Sequence, residues 1–317
     1  MRAGSSSKRI VITGGGGFIG ANLTRRLVKL GYEVHVIHRK SSDNWRLKEI
    51  KKNITLHAAP PTKKSLKKLM EKISPTAIFH LATYGSYRNQ EDAEQIITTS
   101  VNGTLELLYA TIDVDYKIFV NTGSSSEYGL KPKPMKEADI LEPISFYAAA
   151  KASQTLLCQA FSYQYKKPIV TIRPFSVYGP YEQKDRFIPT IMHALIAKRP
   201  IMLTPGKQRR DFIFIDDLID IYVAALKKSS KLSGEIINAG TGHEYTNDEI
   251  VKTLFKMTGQ KTKVIKGGFE KRMWDNPHWI ANITKAKKML NWKPKYSIEK
   301  GLSKTYNWLV QNRLTDE

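Results

Sequence analysis

An α/β fold, with a doubly wound parallel sheet and a smaller C-terminal lobe, is what this chain predicts from three observations. Short β-branched runs alternate with longer amphipathic ones, a glycine-rich turn follows the first run, and the regular alternation ends near residue 180. Such alternation joins parallel strands through helices that cover both sheet faces. The sheet domain is assigned to residues 1–178, with elements returning to it from about 211–243, and residues 179–317 mainly to the second lobe.

The strand-like runs, in order, are "RIVITG", "YEVHVIH", "ITLHA", "TAIFHLA", "KIFVNTG" and "PIVTIRP". Past Pro180 the pattern loosens into a helical "FIPTIMHALIAK", a strand-like "DFIFI", a helical "DDLIDIYVAAL" and a strand-like "GEIINAG". No internal repeat, low-complexity tract or Pro/Gly-rich linker divides the chain.

The first turn reads "TGGGGFIGANLTRRLVKLG", a GxxGxxG of Gly14, Gly17 and Gly20 that opens a helix ending at Gly31. Glycines there let the backbone approach a pyrophosphate, and the helix N-terminus offers it free N–H groups. In a strand-turn-helix context this predicts a Rossmann-type dinucleotide site. After the second strand an NAD site usually carries an acid for the ribose, whereas this chain has His38, Arg39, Lys40 and Ser41, with Arg46 within reach. That chemistry suits a 2′-phosphate and favours NADP over NAD, with Asp43 as the counterargument.

In "EPISFYAAAKASQTLLCQAF", Tyr147 precedes Lys151 by four residues with only alanines between them. On a helix the two share a face, where an ammonium could stabilise a phenolate. Alone, the pair also fits an ordinary solvated helix face.

Composition sets the outer bounds. The chain has 317 residues, 41% of them hydrophobic, enough for a large core. No apolar run reaches membrane-span length and the N-terminus lacks a signal-peptide pattern, so a cytoplasmic protein without a membrane partner is expected. The single cysteine, Cys158, reads as a core residue, and no metal site is expected. The excess of 51 Lys plus Arg over 29 Asp plus Glu, +22, would attract polyanions, but the lysines are scattered and no nucleic-acid motif accompanies them.

GxxGFIG, "FHLA" at 79–82, "TGSSSEYG" at 122–129, YxxxK and "RPFSVYGP" at 173–180 occur in one order over nearly the whole chain. This pattern resembles the extended short-chain dehydrogenase/reductases, the nucleotide-sugar epimerase/dehydratase family. The resemblance implies that Tyr147 is the acid/base, that Lys151 lowers its pKa and holds the nicotinamide ribose, and that Ser124 hydrogen-bonds the reacting sugar oxygen. It implies cofactor contacts from Gly14, Gly17, Phe18, Ile19, Gly20, Leu81, Ala82, Pro174 and Val177. Substrate contacts fall on Ser125, Ser126, Ser176, Arg210 and Arg272, the two arginines gripping the diphosphate. A homodimer through a four-helix interface is implied by the same likeness.

Departures narrow the chemistry. Serines stand at positions 100 and 176, where the family commonly has Asn, and "HAAPP" replaces the usual Gly-Asp after the third strand. Ser125 and Ser126 occupy the places where 4,6-dehydratases carry acids, and Glu127 is one residue late, which on a strand reverses its direction. Hydride chemistry at one sugar carbon, C4 by the resemblance, is what is left. The basic loop favours a 4-keto-sugar reductase over a nucleotide-sugar 4-epimerase that retains NAD, and both over a non-catalytic relative.

Overall fold

The computed structural model describes residues 8–87, 89–204, 208–267 and 278–312. In chain order the main elements begin with β1 (Arg9–Thr13), α1 (Phe18–Lys29), β2 (Glu33–His38), β3 (Ile54–Ala58), α2 (Lys63–Ile73) and β4 (Ala77–His80). Then come α3 (Ala93–Ile97), a π-helical stretch (Thr98–Asn102), α4 (Gly103–Ala110), β5 (Ile118–Thr122), α5 (Phe146–Tyr165) and β6 (Ile169–Pro174). The chain continues with β7 (Ser176–Tyr178), α6 (Phe187–Ile196), β8 (Ile201–Leu203), β9 (Arg209–Arg210), β10 (Phe212–Phe214) and α7 (Ile215–Lys227). It ends with β11 (Ile236–Ala239), β12 (Tyr245–Thr246), α8 (Asn247–Thr258), β13 (Val264–Lys266), α9 (Thr284–Leu290) and α10 (Ile298–Gln311).

Seven strands form the central sheet in the order β11-β6-β5-β4-β1-β2-β3, and the pairs from β3 through β6 are parallel. Strand order reverses at β1, because the chain builds outward through β2 and β3 and then crosses back to β4. In such a sheet the crevice beyond the carboxyl ends of the strands at the reversal is the natural ligand position. Ile10, Val11 and Ile12 on β1 and all of β4 are buried, as befits strands covered on both faces.

The helices follow from their spacing and ends. Leu66, Met70 and Ile73 give α2 one apolar stripe, and the Thr62 hydroxyl caps it by accepting the Ser65 amide. Ser145 caps α5 in the same way by accepting the Ala148 amide. These helices and α4 pack on one sheet face around Met70, Leu107, Phe119, Cys158 and Phe161.

Two compact units result. The first holds residues 1–127, 143–173 and 219–237, and the second holds 128–142, 174–218 and 238–317. In the second, a small core forms from Tyr128, Met135, Phe175, Trp279, Ala281 and Ile283. Tyr128 donates to Asn238 Oδ1 at 2.7 Å, which ties residues 128–142 to this unit. Buried Asp211 accepts from the amides of Thr241, Gly242 and Ala281, and buried Asp217 from those of Lys295 and Tyr296. These carboxylates satisfy loop backbone that would otherwise be buried without partners.

Among the described residues no helix is long and apolar enough to cross a membrane. No group of His, Cys, Asp and Glu among them could hold a metal ion.

Candidate active site

The glycine turn is shaped for an anion. Gly14 has φ +71°, and a Cβ there would lie 2.6 Å from the Ala82 nitrogen; one on Gly20 would lie 2.2 Å from the Gly14 carbonyl. Gly17 opens α1 in extended conformation without a side-chain cap, and the first helical bond is Ala21 N–H to the Gly17 carbonyl at 2.8 Å. The amides of Phe18, Ile19 and Gly20 therefore precede the helical ladder and are available to a ligand. A pyrophosphate fits this cradle, since the atoms nearest Gly14, Gly17 and Gly20 are backbone.

Beyond β2, Arg39, Lys40 and Ser41 are exposed, while half-buried His38 donates from Nδ1 to the Arg39 carbonyl at 2.9 Å. Asp43 Oδ1 accepts the Trp45 amide at 2.9 Å, at the start of the 3-10 turn that follows. Arg46 is buried with its guanidinium over the Trp45 ring, 4.4 Å from the centroid. The Asn44 Oδ1 atom, buried and without a hydrogen-bond partner among the described residues, sits 2.5 Å from where a Gly16 Cβ would be.

Leu81 is buried and Ala82 half-buried just past β4, above a hydrogen-bond chain through His80. Thr104 gives its hydroxyl proton to the Ser100 carbonyl at 2.6 Å, so its oxygen accepts from His80 Nε2 at 2.9 Å. His80 Nδ1 then accepts from the Thr13 hydroxyl at 2.6 Å. Burial lowers the imidazole pKa to about 3, so this chain is a neutral strut and not a proton store.

Tyr147 and Lys151 stand on α5, the tyrosine half-buried and the lysine 2% exposed. Lys151 Nζ donates to the Thr122 carbonyl at the end of β5 and to Gln154 Oε1 at 2.7 Å. Gln154 in turn donates to Asn121 Oδ1 at 2.8 Å, and Asn121 to the Thr171 hydroxyl at 3.1 Å. Burial brings the lysine down to about 8, against the upward pull of Glu127 and Cys158. The two hydrogen bonds leave the ammonium's third proton for a ligand.

Ser124 lies in the turn after β5. Its Oγ accepts the Ser126 hydroxyl at 2.7 Å and the Ser126 amide at 3.2 Å, which frees its own proton for donation. Ser125 is buried at 6% exposure. Residues 125–128 form a 3-10 turn, not the strand that the sequence reading assumed, because the Ser124 amide binds the Glu127 carboxylate instead of a neighbouring strand. Glu127 turns inward all the same, onto Arg173 at 2.8 Å.

In the second unit, Pro174 is buried, Ser176 and Val177 are half-buried on β7, and Arg210 is half-buried on β9 with its guanidinium 5.0 Å from the Trp279 ring centroid. Arg209 faces Glu244 at 3.9 Å and Glu249 at 4.0 Å. Arg272 lies outside the described residues. Sequence reasoning missed His80, Gln154 and the partners of Glu127. The signal was present for Gln154, which is three residues past Lys151 and so on its face.

Residues 10–240 match the NAD dependent epimerase/dehydratase family. The chain is 34% identical over 315 residues to the UDP-glucuronate 4-epimerase of Thermodesulfobacterium geofontis, covering 95% of this chain and 96% of that protein. A solved UDP-glucuronic acid 4-epimerase from Bacillus cereus, in complex with UDP-glucuronic acid and NAD, superposes with a TM-score of 0.87 at 28% identity, covering 96% of this chain and 99% of the other. The UDP-glucose 4-epimerase of Thermotoga maritima, solved with UDP-glucose, gives 0.88 at 26% identity, with 96% and 99% covered.

Proposed function

The chain belongs to the NAD-dependent epimerase/dehydratase family, and we propose that it is a 4-epimerase of UDP-sugars, UDP-glucuronate foremost, that works with a retained NAD. The carrying observation is the 34% identity to a UDP-glucuronate 4-epimerase along 95% of the chain. The preference for a reductase, and with it for NADP, rested on His38 to Ser41 with Arg46 within reach. The NAD bound by the solved relative argues for the epimerase instead.

When bound, the nicotinamide supplies the site's hydride acceptor and donor. In this reading Tyr147 takes the proton of the sugar's C4 hydroxyl as hydride leaves C4, and returns it when hydride comes back to the opposite face. Lys151 keeps the phenolate accessible and holds the ribose with its remaining proton. Ser124 donates to the sugar O4 and aligns it. Arg210 is the cation for the diphosphate, with Arg272 as its expected companion. Elimination of water finds no acid at positions 125 and 126, and Glu127 is committed to Arg173, which supports epimerisation over dehydration.

Purified protein given UDP-glucuronate and no added cofactor should produce UDP-galacturonate to an equilibrium mixture, read by chromatography. No conversion, or conversion that consumes NADPH mole for mole, would overturn the epimerase. A reductase is the second reading, because Arg39 and Lys40 are exposed on the adenosine-side loop. It requires the protein freed of cofactor to bind NADPH more tightly than NADH, whereas the epimerase reading expects NADH to bind at least as well.

Assembly is proposed from the same helices. Ile97 (38% exposed) and Leu105 (36%) on α3 and α4, and Leu156 (54%) and Tyr163 (60%) on α5, leave apolar side chains in solvent. Two such helix pairs brought together form a four-helix interface, so a homodimer is expected. Light scattering at micromolar concentration should give about 72 kDa, twice the 36.0 kDa chain mass; a monomer would refute the dimer.

A further inference from the structure

Glu127 has no part in the transfers above, yet it is 0% exposed beneath the Ser124 turn. Its Oε1 accepts the Ser124 amide at 2.7 Å and the Thr155 hydroxyl at 3.0 Å, and its Oε2 accepts Arg173 Nε at 2.8 Å. A Cβ on Gly123 would lie 2.5 Å from Oε1, so the glycine makes room for this carboxylate. All three partners are donors, a set that holds the ionised form. Burial pushes the carboxyl up, while Arg173, the Ser124 amide, Lys151 and Thr155 draw it back.

Lys151 is the other charge in this buried cluster. Among the described residues the titratable groups that act on it are Glu127, Cys158 and His80. His80 is neutral, and burial pushes the Cys158 thiol up, so it stays protonated. Of these three groups Glu127 is the one held ionised, by its three donors, and Thr155, which donates to it, stands one turn past Lys151 on α5.

We propose that Glu127 is a positioning residue for the proton transfer: its carboxylate clamps the Ser124 turn through the backbone amide and supplies the negative charge that keeps Lys151 an ammonium in a dry site. The role rests on Ser124, Tyr147 and Lys151 being the reaction centre. With the lysine already down to about 8, removing the carboxylate lowers it further, so the ammonium is lost at a lower pH as pH rises.

The test is Glu127→Gln beside Glu127→Asp, in protein carrying 13C at lysine Cε, with the Lys151 signal identified by its absence in Lys151→Met. In Glu127→Gln the Lys151 titration midpoint should fall by about one pH unit. The alkaline limb of kcat should fall with it, with about a fivefold loss of kcat at pH 8 and little change in KM. Glu127→Asp keeps the charge and should hold the midpoint while losing kcat through the slackened Ser124 clamp. If Glu127→Gln does not fold, Glu127→Gln/Arg173→Met removes the cation with the anion and should show a smaller fall, against Arg173→Met alone, in which the midpoint should rise. A folded variant without the carboxylate whose lysine midpoint is unchanged overturns the proposal. The lysine titration needs no substrate, so inactivity toward UDP-sugars would count against the function proposed above and not against this role.

Discussion

Tyr147→Phe is expected to leave a folded protein that binds the dinucleotide as before, while turnover falls about a thousandfold. The glycine cradle around Gly14 and Gly20 is made of backbone and does not depend on the phenol oxygen. Lys151 is held by the Thr122 carbonyl and Gln154, so it stays in place when the phenol loses its hydroxyl. What disappears is the proton acceptor for the sugar hydroxyl, and with it a path for hydride to leave. Equal loss in kcat and kcat/KM, with unchanged cofactor affinity, is the expected pattern. A variant that turns over near the wild-type rate across the pH range would remove Tyr147 from the reaction.

Arg173→Met should cost about 3–5 kcal/mol of stability at neutral pH, because it leaves the Glu127 carboxylate buried without its cation. Arg173 is 1% exposed and Met fills much of its volume, so the loss comes from charge more than from a cavity. The sign with pH follows from the direction of the Glu127 shift. Its folded pKa is raised by burial and rises further without Arg173, so the unfolded chain binds fewer protons wherever pH lies between the two values. The penalty is absent below the unfolded value of about 4.3 and grows as pH rises from there. Urea midpoints at pH 4 and pH 7.5 should therefore show a small and a large difference from wild type. Adding Glu127→Gln should recover most of the loss. A single variant as stable as wild type at pH 7.5 would show that the pair carries no such charge balance.

Much of the first unit was legible because its signals are local. β1, the glycine turn and α1 follow one another within 21 residues, and only a close backbone approach explains glycine at positions 14 and 20. Tyr147 and Lys151 share a helix face whatever surrounds them. The rest depends on distant partners. Glu127 and Arg173 lie 46 residues apart, and nothing in "SSSEYG" or "TIRPF" announces that they meet. The π-helical stretch at 98–102 reads "TTSVN" with one hydrophobic residue, so no apolar spacing marks it. Strands of two or three residues, such as β9 and β12, are too short to show a period. The basic loop after β2 was legible as charge, but Asp43 bound to the Trp45 amide and Arg46 stacked on Trp45 are folding outcomes that charge alone does not reveal.

Retention of hydrogen at C4 tests the central claim most directly. UDP-glucuronate carrying deuterium at C4 should yield a 4-epimer that keeps the deuterium at C4 when no cofactor is added, because the hydride leaves and returns within one complex. Deuterium found in free NADH or NADPH, or product formed only with stoichiometric reduced cofactor, would contradict it.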